Sequence, residues 1–384
     1  MPKPLTVALG GDTGSYAAAV RVAVLSSARW SSFWVSKQLV SRALSGLGHE
    51  VLYVDPPVSP LSLLRQPSRR SDLLGPRHEQ IDGVDVWRPL VVPGQNGRVG
   101  QQVNAAWLAR GVAHRMPAVD LTIAFSLESR TLFRRMGGRR VYYCTDSLED
   151  LPGADAVVCR ERELELAEAA DVTVACSLPL VDQLAARGVE AAYLPHAVDA
   201  PSGPGDMPPP PELQDVTRPI IGYVGSLNFR LDMDLLECAL RHGTLLVVGG
   251  DFGPAPSAEV RALLDDPRVV VVGHQHPREL DRWLAHLDLG LIPYAPTPFN
   301  RKSFPIKLLQ YLAAGVPVVS TSNGATDEHA SLVRVADDPV AFDAAIRDAL
   351  AGDTPSERAR RSGLARARSW TAVATELLAA AGLE

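Results

Sequence analysis

The chain has 384 residues, of which 46% are hydrophobic and 21% charged, a composition typical of a soluble globular protein with two or three domains. Its formal net charge of −6 argues against a nucleic-acid binder, which would usually carry an excess of Lys and Arg. Its four cysteines are scattered and form no Cys-X-X-Cys pair, which favours reduced thiols over a disulfide framework or a zinc site.

The first twenty residues predict a loose leader rather than a targeting segment. They contain one Lys and an apolar patch that Gly-Gly-Asp interrupts, which is shorter than the apolar core of a signal peptide. No later stretch reaches the eighteen continuous apolar residues of a membrane span. We therefore expect a cytoplasmic protein, and peripheral contact with the inner face of the membrane stays open.

From residue 21 to residue 200, short apolar runs alternate with segments long enough for helices. The runs include RVAVLSS, EVLYVDPP, LTIAFS, RVYYCT and DVTVACS. This alternation predicts an α/β domain with a parallel sheet and helices on both of its faces. Residues 201–218 are rich in Pro and polar residues and predict a linker.

The alternation starts again after the linker. The runs IIGYVGS, TLLVVGG, RVVVVGH, LDLGLIPY and PVVST predict a second doubly wound domain over residues 219–368. Residues 369–384 predict a last helix with no strand after it, and we expect it to pack back on the first domain. Two Rossmann-like domains of this kind predict a cleft between them, with ligands at the carboxyl ends of the strands.

One segment of the second domain, RKSFPIKLLQYLAAGVPVVS (301–320), combines cations with a helix start. Ser303 is predicted as the N-cap and Pro305 as a first-turn residue, so unpaired N–H groups would offer an anion site there. Lys307 and Gln310 continue one polar stripe from Ser303, while the opposite stripe is apolar. The stripe predicts either a face that binds diphosphate and sugar or an ordinary solvated helix face.

The segment FPIKLLQYLAAGVPVVST resembles the nucleotide-sugar signature of GT-B glycosyltransferases, which usually have Glu in place of Gln310. Three further segments resemble the family in the expected order: ARWSSFWVSKQLVSRALSGLGHEVLYVDPP, RELELAEAADVTVACSLPLVDQL with AAYLPHAVD, and GYVGSLNFRLDMDLL. The resemblance covers nearly the whole chain from Arg21 onward. It implies the GT-B fold and transfer of a sugar from a nucleoside-diphosphate sugar to an acceptor hydroxyl, in bacterial glycan or glycosylated antibiotic biosynthesis.

The resemblance also implies roles for individual residues of the second domain. The donor diphosphate would meet Arg301, Lys302, Ser303 and Lys307, and Gln310 would take the ribose position without the charge of the usual Glu. The segment GHQHPREL, with His274, is expected to contact the base. Gly225 and Ser226 after the strand IIGYV, with Arg230 behind them, predict a second phosphate contact or simply a tight turn.

We expect neither a metal nor a cofactor at this site. His274 and His276 have no partners that would complete a ligand set. The acidic pair of Asp232 and Asp234 matches the metal-binding motif of the other glycosyltransferase fold, but it opens a helix, where capping is the expected role. The partners expected are the donor and a small-molecule or lipid-linked acceptor.

The first domain is expected to hold the acceptor and the catalytic base. Asp146 directly follows the strand RVYYCT, at a carboxyl end that faces a ligand in such sheets; capping of a following helix is the alternative. Arg29, Trp30 and Trp34 in the loop after the first strand could contact the acceptor or the donor, with core packing as the alternative for Trp34. Two other functions also stay open, a nucleotide-sugar epimerase of the same fold and a non-catalytic sugar-nucleotide-binding protein.

Overall fold

The computed structural model describes residues 18–32, 34–61, 76–93, 97–199, 208–250 and 256–383. These residues form two compact units: one runs to Pro195 and also includes the chain from Trp370 onward, and the other is His196–Ser369. Most of the predicted leader and the first part of the predicted linker, residues 201–207, lie outside the described residues. In the described ranges, no helix combines the length and apolar character needed to cross a membrane.

The first unit contains an eight-stranded sheet whose inner strands are nearly continuous apolar runs, buried on both faces as parallel sheets require. The strands are β1 (Arg21–Leu25), β2 (Glu50–Val54), β3 (His78–Ile81), β4 (Val84–Trp87), β5 (Leu121–Ala124), β6 (Arg139–Cys144), β7 (Val172–Ala175) and β8 (Ala192–Tyr193). Their order is β3-β4-β2-β1-β5-β6-β7-β8, and every pairing is parallel except β3 with β4.

The helices that cover this sheet are α1 (Ser36–Gly46), α2 (Arg98–Arg115), α3 (Arg130–Phe133), α4 (Ala156–Ala169) and α5 (Leu178–Ala185). Side chains close the first turns of two of them. Gln38 accepts a hydrogen bond from the Val35 N–H at the start of α1 (3.1 Å), and Asp155 accepts two from the first turn of α4.

The second unit is a six-stranded, wholly parallel sheet in the order β11-β10-β9-β12-β13-β14. Its strands are β9 (Ile220–Val224), β10 (Thr244–Val248), β11 (Val269–Val271), β12 (Leu289–Ile292), β13 (Val318–Ser320) and β14 (Val333–Val335). Its helices are α6 (Met233–Glu237), α7 (Ala258–Leu264), α8 (Pro277–Leu284), α9 (Pro298–Lys302), α10 (Ile306–Ala313), α11 (Pro339–Ala351) and α12 (Pro355–Ala365). Two doubly wound α/β units confirm the predicted fold class.

The last helix, α13 (Trp370–Ala380), belongs to the first unit. Its apolar face, including Trp370, Val373 and Leu377, is buried, and the helix packs on α1. Arg139 at the start of β6 donates a hydrogen bond from Nε to the carbonyl oxygen of Ala381 (3.0 Å). The chain therefore returns to its first unit after completing the second.

Strand order locates the ligand-binding edge of the second unit. From β9 the chain moves to β10 and β11 on one side, and later strands add to the other side through β12. The carboxyl ends of β9 and β12 thus form a switch point, where parallel α/β sheets bind ligands.

Candidate functional site

The turn after β9 brings a glycine against a lysine. Gly225 has φ of +134°, a conformation that favours glycine, and its N–H donates to the carbonyl oxygen of Val248 (2.8 Å). The hydroxyl of Tyr223 donates to the carbonyl oxygen of Ser226 (2.9 Å) and so fixes the turn from below. Lys307, in the first turn of α10, extends its Nζ toward this turn.

Lys307 lies among aromatic rings without a carboxylate partner in the described part of the chain. Its Nζ is 4.0 Å from the ring centre of Tyr223 and 5.4 Å from that of Tyr294, both distances at which a cation is attracted to a ring face. Burial, reinforced by the positive charge of Arg230, lowers the pKa of Lys307 well below the ordinary lysine range. An anion at this position would relieve that electrostatic cost.

Hydrogen bonds hold Arg230 beside the ring of Tyr294. Its Nε donates to the amide oxygen of Asn300 (3.1 Å), its Nη2 donates to the hydroxyl of Ser303 (2.8 Å), and its guanidinium lies 4.4 Å from the ring centre of Tyr294. Among the described residues no carboxylate pairs with it. Two cations thus flank Tyr294 at the carboxyl ends of β9 and β12, oriented by aromatic rings and neutral groups.

The predicted role of Ser303 as the N-cap of the signature helix is wrong. The segment contains two helices, because the residue before a proline is disfavoured in the helical conformation and Pro305 follows Phe304. Ser303 ends α9 as its C-cap, and Pro305 occupies the N-cap position of α10. The Ser303 hydroxyl nevertheless joins the cluster, because it accepts the hydrogen bond from Arg230.

The remaining predicted donor residues differ in exposure and in position along the second unit. Arg301 is exposed and Lys302 half-buried, and together they end α9 instead of directly preceding the N-terminus of α10. Gln310 is half-buried and lies one turn after Lys307 on α10, whose predicted apolar stripe is buried. His274 is exposed in the loop after β11, which β10 separates from β9.

The acidic motif after this cluster has the capping role that the sequence predicts. The side chain of Asp232 accepts a hydrogen bond from the Leu235 N–H (3.3 Å) at the start of α6. Within the described ranges, no group of three or more His, Cys, Asp or Glu side chains is placed to hold a metal ion.

In the first unit, the predicted base Asp146 lies two residues beyond β6 and is half-buried. The Thr145 hydroxyl donates to its Oδ2 (3.1 Å), Lys37 Nζ donates to that hydroxyl (3.0 Å), and Lys37 Nζ lies 3.8 Å from the carboxylate. Asp146 does not cap a helix, since Ser147 holds the N-cap position of the short 3-10 turn at Leu148–Asp150. The contacts with Lys37 and Thr145 fix its orientation.

The structure removes Trp30 from the predicted acceptor contacts. Trp30 is only 3% exposed, and its ring packs edge-on against Tyr53 (5.0 Å between centroids) and Trp34 (5.4 Å), so neither ring face is free for a sugar. Trp34 is half-buried and faces the guanidinium of Arg42 at 5.7 Å. Arg29 is half-buried in the same loop.

Sequence reasoning missed a cavity of about 510 Å³ in the first unit. It opens where β1, β2 and β5 end, and α2 forms one wall; its lining residues include Ser26, Asp55, Asn104, Ser126 and Arg162. Asp55 accepts a hydrogen bond from the Trp30 N–H (2.8 Å) and lies 3.5 Å from Arg88 Nε. Burial raises the pKa of Asp55 to about 6. Asp55 could have been selected from the sequence, because it directly follows strand β2. The same criterion identified Asp146.

The second unit matches a known protein family. Residues 218–352 match the family model described as glycosyl transferases group 1. A stretch of 176 residues is 31% identical to TuaH of Bacillus subtilis (strain 168), whose name assigns it to teichuronic acid biosynthesis as a glycosyltransferase. The match covers 43% of this chain and 43% of that relative, less than half of each.

Solved structures resemble the chain over nearly its whole length. Sucrose-phosphate synthase from Thermosynechococcus elongatus matches with a TM-score of 0.68 and 16% identity, over 93% of this chain and 97% of the other. Anabaena HepE, solved with UDP and glucose, matches with a TM-score of 0.65 and 14% identity, over 94% and 98%. Identities this low establish the fold alone. The chain has the GT-B fold of these structures, and its residues 218–352 match the group 1 glycosyl transferase model.

Proposed function

We propose that this protein is a glycosyltransferase that moves a sugar from a nucleoside-diphosphate sugar to an acceptor hydroxyl, in the biosynthesis of a bacterial cell-surface glycan or a glycosylated natural product. The second unit would bind the donor and the first unit the acceptor. The relative assigned to teichuronic acid biosynthesis favours the cell-surface glycan. All four cysteines are free thiols, which suits a cytoplasmic enzyme.

The observation that carries the proposal is the pair of cations around Tyr294. Lys307 and Arg230 are both held within 5.4 Å of that ring centre, and neither pairs with a carboxylate in the described chain. Charges in so apolar a setting are costly unless an anion compensates them. A diphosphate bound next to the turn after β9 would supply that anion. The turn can approach the diphosphate closely, because Gly225 has no side chain.

The same groups would assist the chemistry. As the bond between sugar and diphosphate breaks, negative charge grows on the leaving oxygens, and preoriented cations stabilise that charge without having to reorganise. Lys307 and Arg230 would carry this task, with Arg301 and Lys302 as outer cations. We propose that this charge stabilisation needs no metal ion.

Acceptor activation is the role we propose for Asp146. A carboxylate can accept the proton of the attacking hydroxyl as the new glycosidic bond forms. Lys37 and Thr145 hold its carboxyl group, so that one oxygen is committed to their contacts. The cavity beside Asp55 is a candidate place for part of the acceptor.

The direct test incubates the purified chain with UDP-, dTDP-, GDP- and ADP-sugars and measures release of nucleoside diphosphate, with the Lys307→Met variant as the matched control. We expect slow release from one donor class, which an acceptor accelerates and which the variant lacks. Failure to bind or cleave any donor would refute the proposal.

Two other outcomes would select the alternatives. Conversion of the donor to its sugar epimer would identify an epimerase of the same fold. Binding of a nucleoside diphosphate without turnover, for every acceptor offered, would indicate a sugar-nucleotide-binding protein. Gln310 motivates that second alternative, because it lacks the charge of the Glu usual at this position.

A further inference from the structure

The outer face of α2 exposes a continuous apolar stripe. Val99, Val103 and Trp107 are 77%, 50% and 60% exposed, and a spacing of four residues places them on one side of the helix. The opposite side is buried against the first unit through Asn104, Ala105, Leu108 and Val112. The helix is therefore apolar on both faces, although only one of them contacts the protein.

Such a group of neighbouring exposed apolar side chains is unusual within the described chain. Val92 is a further exposed apolar residue beside α2, where the side chain of Asn104 accepts a hydrogen bond from the Val92 N–H (2.9 Å) and donates one to its carbonyl oxygen (3.1 Å). The other exposed large apolar side chains are dispersed: Leu61, Val157, Phe229, Val271, Val335, Val340 and Leu364. Single exposed apolar residues are ordinary, whereas a contiguous patch marks a contact surface.

The charges beside the stripe have one sign. Arg110 and His114 are exposed on the same side of α2, and Arg98 is exposed at its first residue; in the described structure neither arginine pairs with a carboxylate. The chain contains 44 Asp and Glu among 384 residues, yet none occurs between Val86 and Val119. A basic, apolar helix face thus lies on a protein of net negative charge.

We propose that the outer face of α2 docks on an anionic membrane surface. Valine side chains and an indole ring would enter the boundary between headgroups and acyl chains, while the arginines would contact lipid phosphates. Trp107 suits this boundary, because its Nε1 donates to the carbonyl oxygen of Leu90 (3.1 Å), which fixes the exposed ring next to the Leu90 segment.

A second copy of the chain fits this face less well. A symmetric pair would bring the same patch of each copy together, so Arg110 would meet the positive charge of the other copy with no acidic residue of the patch to compensate. A bilayer rich in anionic lipid supplies both the apolar layer and the opposite charge.

The surface bears on the proposed function through α2 itself. The inner side of this helix, with Gln101, Asn104, Ala105 and Leu108, lines the first-unit cavity. Since a helix with its side chains is about 10 Å across, a docked α2 would hold the cavity about that far from the lipid headgroups. The value of this placement for a lipid-linked acceptor rests on the proposed function; the docking does not.

The test measures sedimentation of the full chain with vesicles, without donor or acceptor, so failure of docking is distinguishable from failure of glycosyl transfer. We expect binding to vesicles containing phosphatidylglycerol and not to phosphatidylcholine vesicles, with affinity falling as salt rises. The double variant Arg98→Gln with Arg110→Gln should weaken binding roughly tenfold or more. Val99→Ser with Val103→Ser should weaken it comparably.

The matched control is Val340→Ser with Leu364→Ser, which changes two exposed apolar residues outside the stripe and should bind like wild type. A blue shift of tryptophan fluorescence on binding, lost in Trp107→Phe, would place α2 at the lipid. Absence of binding, equal binding to both vesicle types, or unchanged binding by the stripe variants would overturn the proposal. Self-association that the stripe variants abolish, without vesicle binding, would also overturn it.

Discussion

The Nζ of Lys307 lies so close to Gly225 that a β-carbon on residue 225 would come within 2.8 Å of it. Gly225→Ala would therefore displace the ammonium group, and its φ of +134° would strain any residue with a side chain. We expect weaker binding of nucleoside diphosphate, by about tenfold or more, together with a lower melting temperature. Isothermal titration and thermal unfolding measure the two effects.

Gly188→Ala is the control that distinguishes the effect of backbone strain from the loss of the phosphate site. Gly188 also has a positive φ, +76°, but a β-carbon there meets nothing within 4 Å. It should lower the melting temperature while leaving nucleotide affinity unchanged. Equal affinity losses in both variants would mean that Gly225 has no special relation to the phosphate site.

Lys307→Met should stabilise the ligand-free protein and abolish its stabilisation by nucleotide. Because burial lowers the pKa of Lys307, the folded state binds this proton less tightly than the unfolded state does. The penalty is full below the folded-state pKa and shrinks as pH rises toward the ordinary lysine value of about 10.4. The gain in melting temperature should thus be largest at low pH and vanish near pH 10.

Lys302→Met is the control for that experiment, because it removes a neighbouring, half-buried charge from the last residue of α9. We expect no increase in its melting temperature. Proton uptake on nucleotide binding, measured by titration in buffers of different ionisation enthalpy, should be present in wild type and absent in Lys307→Met. Unchanged affinity of Lys307→Met would exclude this lysine from the donor site.

Gln310→Glu tests the ribose position. A carboxylate accepts a hydrogen bond from a ribose hydroxyl more strongly than an amide does, so affinity for nucleoside diphosphate should rise about three- to tenfold. Affinity for inorganic pyrophosphate, which has no ribose, should not rise. Lys307→Met, in contrast, should weaken the binding of both ligands. If Gln310→Glu changed the affinities for nucleoside diphosphate and pyrophosphate equally, residue 310 would not contact the ribose.

The differences between prediction and structure arise from local breaks in helices and from contacts between residues that are distant in sequence. Alternating apolar runs and helical segments predicted both sheets, and the burial of Leu308, Leu309 and Leu312 followed from helical spacing. The break between α9 and α10 at Ser303 could not be predicted from helical spacing, because two short helices with a proline between them give nearly the same apolar pattern as one continuous helix. The burial of Trp30 depends on Tyr53, which is distant in sequence, and Asp55, whose pKa burial raises, contacts the equally distant Trp30 and Arg88.

Asp146→Asn tests the proposed base. Loss of the carboxylate should reduce turnover about 100-fold or more while leaving donor affinity unchanged, since the residue belongs to the first unit and acts on the acceptor proton. Steady-state kinetics and nucleotide titration measure the two quantities. Asp155→Asn, at an N-cap where Asn is an equally good residue, should retain normal turnover. Wild-type turnover in Asp146→Asn would remove this residue as the base.

Asp55→Asn tests the electrostatics of the first-unit cavity through stability. Burial raises the pKa of Asp55 from 3.8 to about 6, so the folded state holds this proton more tightly than the unfolded state does. Stability is therefore lost as pH rises from about 4 through 6, by up to about 3 kcal/mol at neutral pH. The variant keeps an acceptor for the Trp30 N–H and avoids the buried charge, so its melting temperature should exceed that of wild type at pH 8 and match it at pH 4.

Asp120→Asn supplies a control of opposite sign in the same sheet. Hydrogen bonds from the side chain and backbone of Arg21 lower the pKa of Asp120, so its charged form stabilises the fold above its ordinary pKa. That variant should melt below wild type at pH 8, with the difference shrinking as pH falls. If Asp55→Asn also melted below wild type at pH 8, the carboxylate of Asp55 would be compensated by Arg88, and the cavity would hold a charged group suited to hydrogen-bonding a sugar hydroxyl.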